Sequence, residues 1–187
     1  MENKTTYFAK PGQENTEEVL DIAKDRAEEL GIKTIVVATT VGDTAVRAMD
    51  VFEGKRIVVV THFTGFKGPD TQEFLEENRK KVEEKGGVVL TTTHALSGLS
   101  RAMRKKFGMY MFEEAVANTL RIFGQGMKVV CEITMMAADA GLVSTNEDII
   151  AIGGTSRGAD TAVVLAPVNT PDFFDMKIKE ILCKPHF

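Results

Sequence analysis

Lys33-Thr34-Ile35-Val36-Val37-Ala38-Thr39-Thr40-Val41-Gly42-Asp43-Thr44-Ala45-Val46-Arg47-Ala48-Met49 is the stretch on which the fold turns. The apolar run Ile35 to Ala38 reads as a strand, Thr39 to Thr44 as a polar turn and Ala45 to Met49 as a helix. A turn of Thr and Gly at such a junction offers hydroxyl donors, room for close backbone approach at Gly42 and the free N–H groups of a new helix. Together these favour a bound anion, a phosphate above all. Capping of the helix by Asp43 or Thr44 is the alternative use of the same residues. The stretch has neither the Walker spacing nor G-x-G-x-x-G.

Outward from it, Thr16 to Leu30 places Val19, Ile22, Ala23 and Leu30 near one face and stops at Gly31, the pattern of a surface helix. Arg56 to Thr61 carries Ile57-Val58-Val59-Val60, which suits a strand buried on both faces. Asp70 to Glu84 reads as a charged amphipathic helix with Phe74, Leu75 and Val82 inward, closed by Gly86-Gly87 and followed by the buried strand Val88-Val89-Leu90. The second half is more helical, with segments near Leu99 to Phe107, Met111 to Phe123 and Met127 to Ala140. The last is mostly apolar and belongs beneath other elements, its Met135-Met136 pair filling core. Asp148 to Ile152 and Thr161 to Ala166 then read as strands joined by the Gly-rich loop from Gly153 to Asp160.

Buried strands alternating with helices predict a three-layer α/β/α fold, one domain over residues 1–187, with a mainly parallel sheet and right-handed crossovers. Thr161 to Ala166 and Lys177 to Cys183 are expected to add antiparallel edges, because the loops before them are too short for crossover helices.

The chain has 187 residues, 43% of them hydrophobic, enough for one well-buried core. A formal charge of −4 argues against a general nucleic-acid binder, and Arg79-Lys80-Lys81 and Arg101 to Lys106 alternate with apolar residues as solvated helix faces do. Two cysteines, Cys131 and Cys183, form no disulfide framework and no C-x-x-C pair. No apolar run reaches bilayer length and no secretion signal is visible after Met1, so a cytoplasmic protein without a membrane partner is expected. Self-association is left open.

The strand exits repeat one theme. Thr39-Thr40, His62-Phe63-Thr64, Thr91-Thr92-Thr93-His94 and Gly153-Gly154-Thr155 each follow an apolar strand, and a parallel sheet gathers most of them at its carboxyl edge, where ligands of open α/β sheets bind. A small-molecule site is therefore expected there. His62 and His94 are candidates for acid–base work or for neutral hydrogen bonding. The loop from His62 to Gly68, with Phe63, Phe66 and hinge glycines, is expected to cover one end of the ligand.

These residues carry a family resemblance. Thr34 to Ala45 resembles the strand, Thr/Ser-Gly-Thr/Ser turn and helix of the C-terminal α/β domain of pyruvate kinase. Arg56 to Thr61 resembles its next strand, and Asp148 to Gly154 with Asp160-Thr161-Ala162 resembles its closing strand, Gly-rich loop and strand. In pyruvate kinases regulated by sugar bisphosphates those two loops hold the effector's phosphates. The resemblance thus implies phosphate at Thr39, Thr40, Gly42 and Thr44, with Gly153, Gly154 and Thr155 close by. No segment resembles the kinase's catalytic barrel, so the resemblance does not extend to pyruvate kinase activity. Gly124 to Gly141 looks instead like free-standing archaeal and bacterial proteins of this domain type, for which the resemblance implies flavin mononucleotide (FMN).

An FMN site needs an anion cradle, polar partners for the ribityl hydroxyls and apolar or aromatic walls for the ring. Thr39, Thr40, Val41, Gly42, Asp43 and Thr44 are candidates for the first, Asp160 or Thr92 for the second, and Phe63 or Phe66 for the third. His62, Thr64 and His94 lie beside the ring candidates, and Arg157 suits either the phosphate or the flavin carbonyl edge. Three classes follow: a flavin-dependent oxidoreductase, a non-catalytic metabolite or nucleotide sensor, and a hydrolase or transferase of phosphorylated metabolites working through His62 or His94.

Overall fold

The computed structural model describes residues 4–187. Seven strands form one sheet: β1 (Thr6–Phe8), β2 (Thr34–Ala38), β3 (Arg56–Val60), β4 (Val88–Leu90), β5 (Ile149–Gly153), β6 (Thr161–Ala166) and β7 (Lys177–Pro185). Their order is β1-β7-β6-β5-β2-β3-β4. Six strands run one way; β6 alone is reversed, antiparallel to β5 and β7. The expected antiparallel pairing at the end of the chain is therefore present, but those strands are not edges. The outer place beside β7 belongs to β1, whose three residues are too few to show a strand period.

The helices α1 (Thr16–Glu29), α2 (Asp43–Val51), α3 (Glu76–Glu84), α4 (Gly98–Phe107), α5 (Phe112–Arg121) and α6 (Gln125–Asp139) complete the layers. Successive side chains of a strand point to opposite faces, so β2 sends Ile35 and Val37 one way and Val36 the other. The first pair joins Val19, Leu20, Ala45 and Ala48 under α1 and α2. Val36 joins Val58, Ala151, Val163 and the α6 residues Val130, Cys131, Ile133 and Met136. Burial of each such aliphatic side chain stabilises by about 1.5–3 kcal/mol, which makes these two interfaces the main support of the sheet. Met135 is fully buried and Met136 nearly so, core residues as expected.

The expected helix from Asp70 begins only at Glu76. Asp70 has φ +57°, which no helix tolerates, and the Phe74 amide is taken by the Gln72 side chain at 2.9 Å while the Leu75 amide reaches Val41 O at 3.1 Å. Phe74 and Val82 are buried as expected, but Leu75 is 46% exposed. The segment is a loop pinned to the β2–α2 turn.

After β4 the chain returns through α4, α5 and α6 to place β5 on the far side of β2. The gap between the carboxyl ends of β2 and β5 is thus the point where the winding direction changes, the usual ligand position in such sheets.

Candidate functional site

A cleft of about 1220 Å³ opens at that point. It is bounded by the β2–α2 turn, the β5–β6 loop, the start of α1, the β3 and β4 exits, and the α4, α5 and α6 walls. Four helices, α1, α2, α4 and α6, begin at this rim, and none has a side-chain N-cap. Helix starts gathered at one rim make it an environment that favours negative charge.

At the β2–α2 turn the N-cap is Gly42, at φ +113°. Neither Asp43 nor Thr44 caps the helix. The Gly42 amide is held by the Thr39 hydroxyl at 3.2 Å, and Val46 is the first residue to bond back into the turn, to Gly42 O at 2.9 Å. The N–H groups of Asp43, Thr44 and Ala45 precede that bond and are left for water or ligand. Thr40 and Thr44 line the cleft with hydroxyls that have no partner among the described residues. Asp43 Oδ1 accepts from Asn78 at 3.1 Å, which ties the one carboxylate of the turn to α3. Gly42 itself is buried away from the cleft. A Cβ there would stand 2.4 Å from Phe74 Cε2 and 2.5 Å from Asn78 Cβ, so its glycine serves the packing of the turn rather than the approach of a ligand.

The β5–β6 loop follows the same logic. A Cβ on Gly153 would press on Val129 of α6 at 3.0 Å, and one on Gly154 would meet Gly158 O at 2.6 Å, so these glycines let the chain approach itself. Gly154, Thr155 and Arg157 line the cleft, with Arg157 exposed. Asp160 does not. Fully buried, it accepts from Gly12 N at 3.1 Å, Thr155 N at 3.0 Å and the Thr161 hydroxyl at 2.8 Å, stitching the β1–α1 connection to the loop. Buried and outside the cleft lining, it is not placed to meet a ribityl hydroxyl.

The opposite end is aromatic. The His62 ring stacks on Phe66 at 4.0 Å, and His94 lies 5.4 Å from both. Arg101 of α4 sits over Phe66 at 4.4 Å. His62 Nδ1 pairs with Glu73 Oε2 at 2.7 Å, which fixes the ring where His62 lines the cleft. Burial pushes the His94 imidazole down to about 4, opposed by Glu132 and reinforced by Lys128, His62 and Arg101, so it is neutral at pH 7. Phe63 packs on His94 and Phe66 from behind without lining the cleft. Thr64 is exposed and contacts Gln72, and Thr92 borders a separate hollow of about 380 Å³.

The floor carries a feature that hydropathy did not reveal. Lys128 and Glu132, one turn apart on otherwise apolar α6, form a buried ion pair, with Glu132 also accepting from Leu96 N at 3.0 Å. Burial lowers the Lys128 ammonium's pKa, with Glu132 opposing. Ser97 Oγ and Arg101 Nε are buried beside the cleft with no partner. Such atoms in a cavity ask for a polar ligand or water. Arg101 was hidden in the basic run that reads as a solvated face, and Glu73 in a loop that reads as helix. Among the described residues no His/Cys/Asp/Glu cluster suited to a metal is found, and no helix is long and apolar enough to cross a membrane.

A family model described as pyruvate kinase, alpha/beta domain, matches residues 17–165. Among solved structures, a crystal structure of a pyruvate kinase from Cryptosporidium parvum is 14% identical with a TM-score of 0.44, the match covering 82% of this chain and 23% of that one. A pyruvate kinase of the same organism in complex with ADP is 15% identical with a TM-score of 0.40, covering 89% and 23%. The chain thus spans 23% of the length of each of these pyruvate kinases.

Proposed function

Because this chain belongs to the pyruvate kinase alpha/beta domain family, we propose that it is a module that binds a phosphate-bearing small molecule in the switch-point cleft, with FMN as the specific ligand. The observation that carries this reading is the uncapped N-terminus of α2, opening beside two partnerless threonine hydroxyls. A phosphate there would gain charge-assisted hydrogen bonds from groups that otherwise face water.

The residues present fit FMN. Thr40, Thr44 and the α2 amides suit its phosphate, and Thr155 and Arg157 stand near enough in the same rim to serve phosphate or ribityl oxygens. His62 and His94 bring aromatic rings to the cleft, backed by Phe66, on which His62 stacks and over which Arg101 sits, while Arg101 and the Lys128–Glu132 pair supply polar groups that would suit a flavin's pyrimidine edge. The cleft volume slightly exceeds the range of about 300–1,000 Å³ typical of small-molecule pockets, so size is no obstacle. When bound, FMN supplies hydride or electron transfer; the chain positions it, screens its ring end and holds a neutral imidazole beside it. A flavin-dependent oxidoreductase and a non-catalytic sensor place the same demands on this cleft. Two deeply buried free thiols accord with a cytoplasmic setting.

The test is an absorption spectrum of purified protein with the released ligand identified by mass. Visible flavin bands and the mass of FMN support the reading, and bleaching by a reduced nicotinamide would assign the oxidoreductase over the sensor. A colourless protein that takes up no FMN on titration overturns it.

A further inference from the structure

The tip of the α4–α5 hairpin carries a run of exposed apolar side chains. Phe107, Met109, Tyr110, Met111 and Phe112 run almost without interruption around its tip at 37–68% exposure. Phe174, 75% exposed on the short turn Thr170–Asp175, joins them through a 6.4 Å ring contact with Phe112. Six side chains at these exposures present on the order of 700 Å² of apolar surface. Monomeric proteins seldom expose a patch beyond about 300–600 Å², whereas each partner in a stable interface buries about 800 Å².

The charges around the patch say what covers it. On one side α4 ends in Lys105 and Lys106, and that helix contains no acid. On the other side stand Glu113, in the first turn of α5, and Asp172 and Asp175, flanking Phe174. All five are exposed and make no ion pair among the described residues. A lipid surface or a nucleic acid presents one sign of charge and would be repelled by half of this border. A second copy of the chain, turned about a two-fold axis, lays the basic end of one hairpin on the acidic end of the other, the self-complementarity an isologous contact requires.

We infer that the hairpin tip is the contact surface of a homodimer, with Tyr110 and Phe112 at its centre and Lys105 and Lys106 facing the partner's acidic border. The inner side of the same hairpin is a wall of the cleft, through Ser97 just before α4, Arg101 of α4, and Ala117 and Arg121 of α5. Dimerisation therefore braces that wall in each protomer. The inference stands on the apolar patch and its charges and is independent of which ligand the cleft takes.

Sedimentation equilibrium of the full chain tests it. The wild type is expected at twice 20.5 kDa, with association weakened by added salt. Tyr110→Glu with Phe112→Glu is expected to raise the dimer dissociation constant on the order of a hundredfold while leaving the circular dichroism of the folded chain unchanged. Lys105→Glu with Lys106→Glu is expected to weaken association about tenfold, and adding Glu113→Lys to restore it. A monomer at every concentration up to about 1 mM overturns the inference. So does a dimer indifferent to both sets of variants, or a monomer that instead co-sediments with phosphatidylcholine–phosphatidylglycerol vesicles.

Discussion

Replacing Gly42 by Ala tests the account of the β2–α2 turn. Two independent penalties follow from its geometry. A non-glycine residue at φ +113° bears left-handed strain of about 1–2 kcal/mol. The new methyl group would also stand 2.4 Å from Phe74 Cε2 and 2.5 Å from Asn78 Cβ, neither the free end of a flexible chain, and overpacking of this kind costs about 1–3 kcal/mol. The sum, about 2–5 kcal/mol, lowers the melting temperature by roughly 4–20 °C in a protein of this size. Gly31→Ala separates the two contributions. Gly31 has φ +66° but nothing within 4 Å of its would-be Cβ, so it reads strain alone, about 1–2 kcal/mol. Urea denaturation followed by circular dichroism measures both. A Gly42→Ala variant no less stable than Gly31→Ala would refute the claim that this glycine is dictated by Phe74 and Asn78.

Three further outcomes are expected. Thr44→Val removes a hydroxyl aimed at the proposed phosphate and should weaken FMN by about ten- to a hundredfold in calorimetric titration, the worth of a hydrogen bond to a charged group, while exposed Glu28→Gln changes nothing. His94, at about 4 in the folded chain against 6.5 unfolded, adds no pH dependence above pH 6.5 but lets stability fall by roughly 3 kcal/mol as pH drops from 6.5 to 4, because only the unfolded chain takes up the proton; His94→Gln should flatten that part of the pH–stability curve. Cys131 and Cys183, whose buried thiols are pushed up to about 12, should resist a disulfide reagent at pH 8 in the native protein and both react on unfolding; a fast native thiol would contradict their burial.

What the sequence disclosed was what period and composition encode. The runs Ile35 to Ala38 and Ile57 to Val60 lie in the sheet centre, and the Thr-rich exits do gather at one rim, where the Thr61 and Thr91 hydroxyls meet at 2.7 Å. The start of α3 was not legible, because the contact of Leu75 with Val41 and the left-handed Asp70 override a helical pattern that Glu76 to Glu84 merely continues. β1 is three residues long and exists by pairing with β7, a partner more than 170 residues away. Asp160 looked like a ligand group because it follows a Gly-rich loop, yet only its distant partner Gly12 shows that it is a clamp. The Lys128–Glu132 pair was not legible, because a mostly apolar run signals that the helix is buried and says nothing of how two charges one turn apart within it are paired or what they face.

The central claim, a phosphate held at the start of α2, is tested most directly by comparing FMN with riboflavin, which keeps the ring and the ribityl chain and lacks only the phosphate. In calorimetric titration of the wild type, FMN should bind at least about tenfold more tightly than riboflavin, and Thr44→Val should shrink that difference while leaving riboflavin affinity unchanged. Equal affinities for the two ligands, or a preference for FMN that Thr44→Val does not reduce, would contradict it.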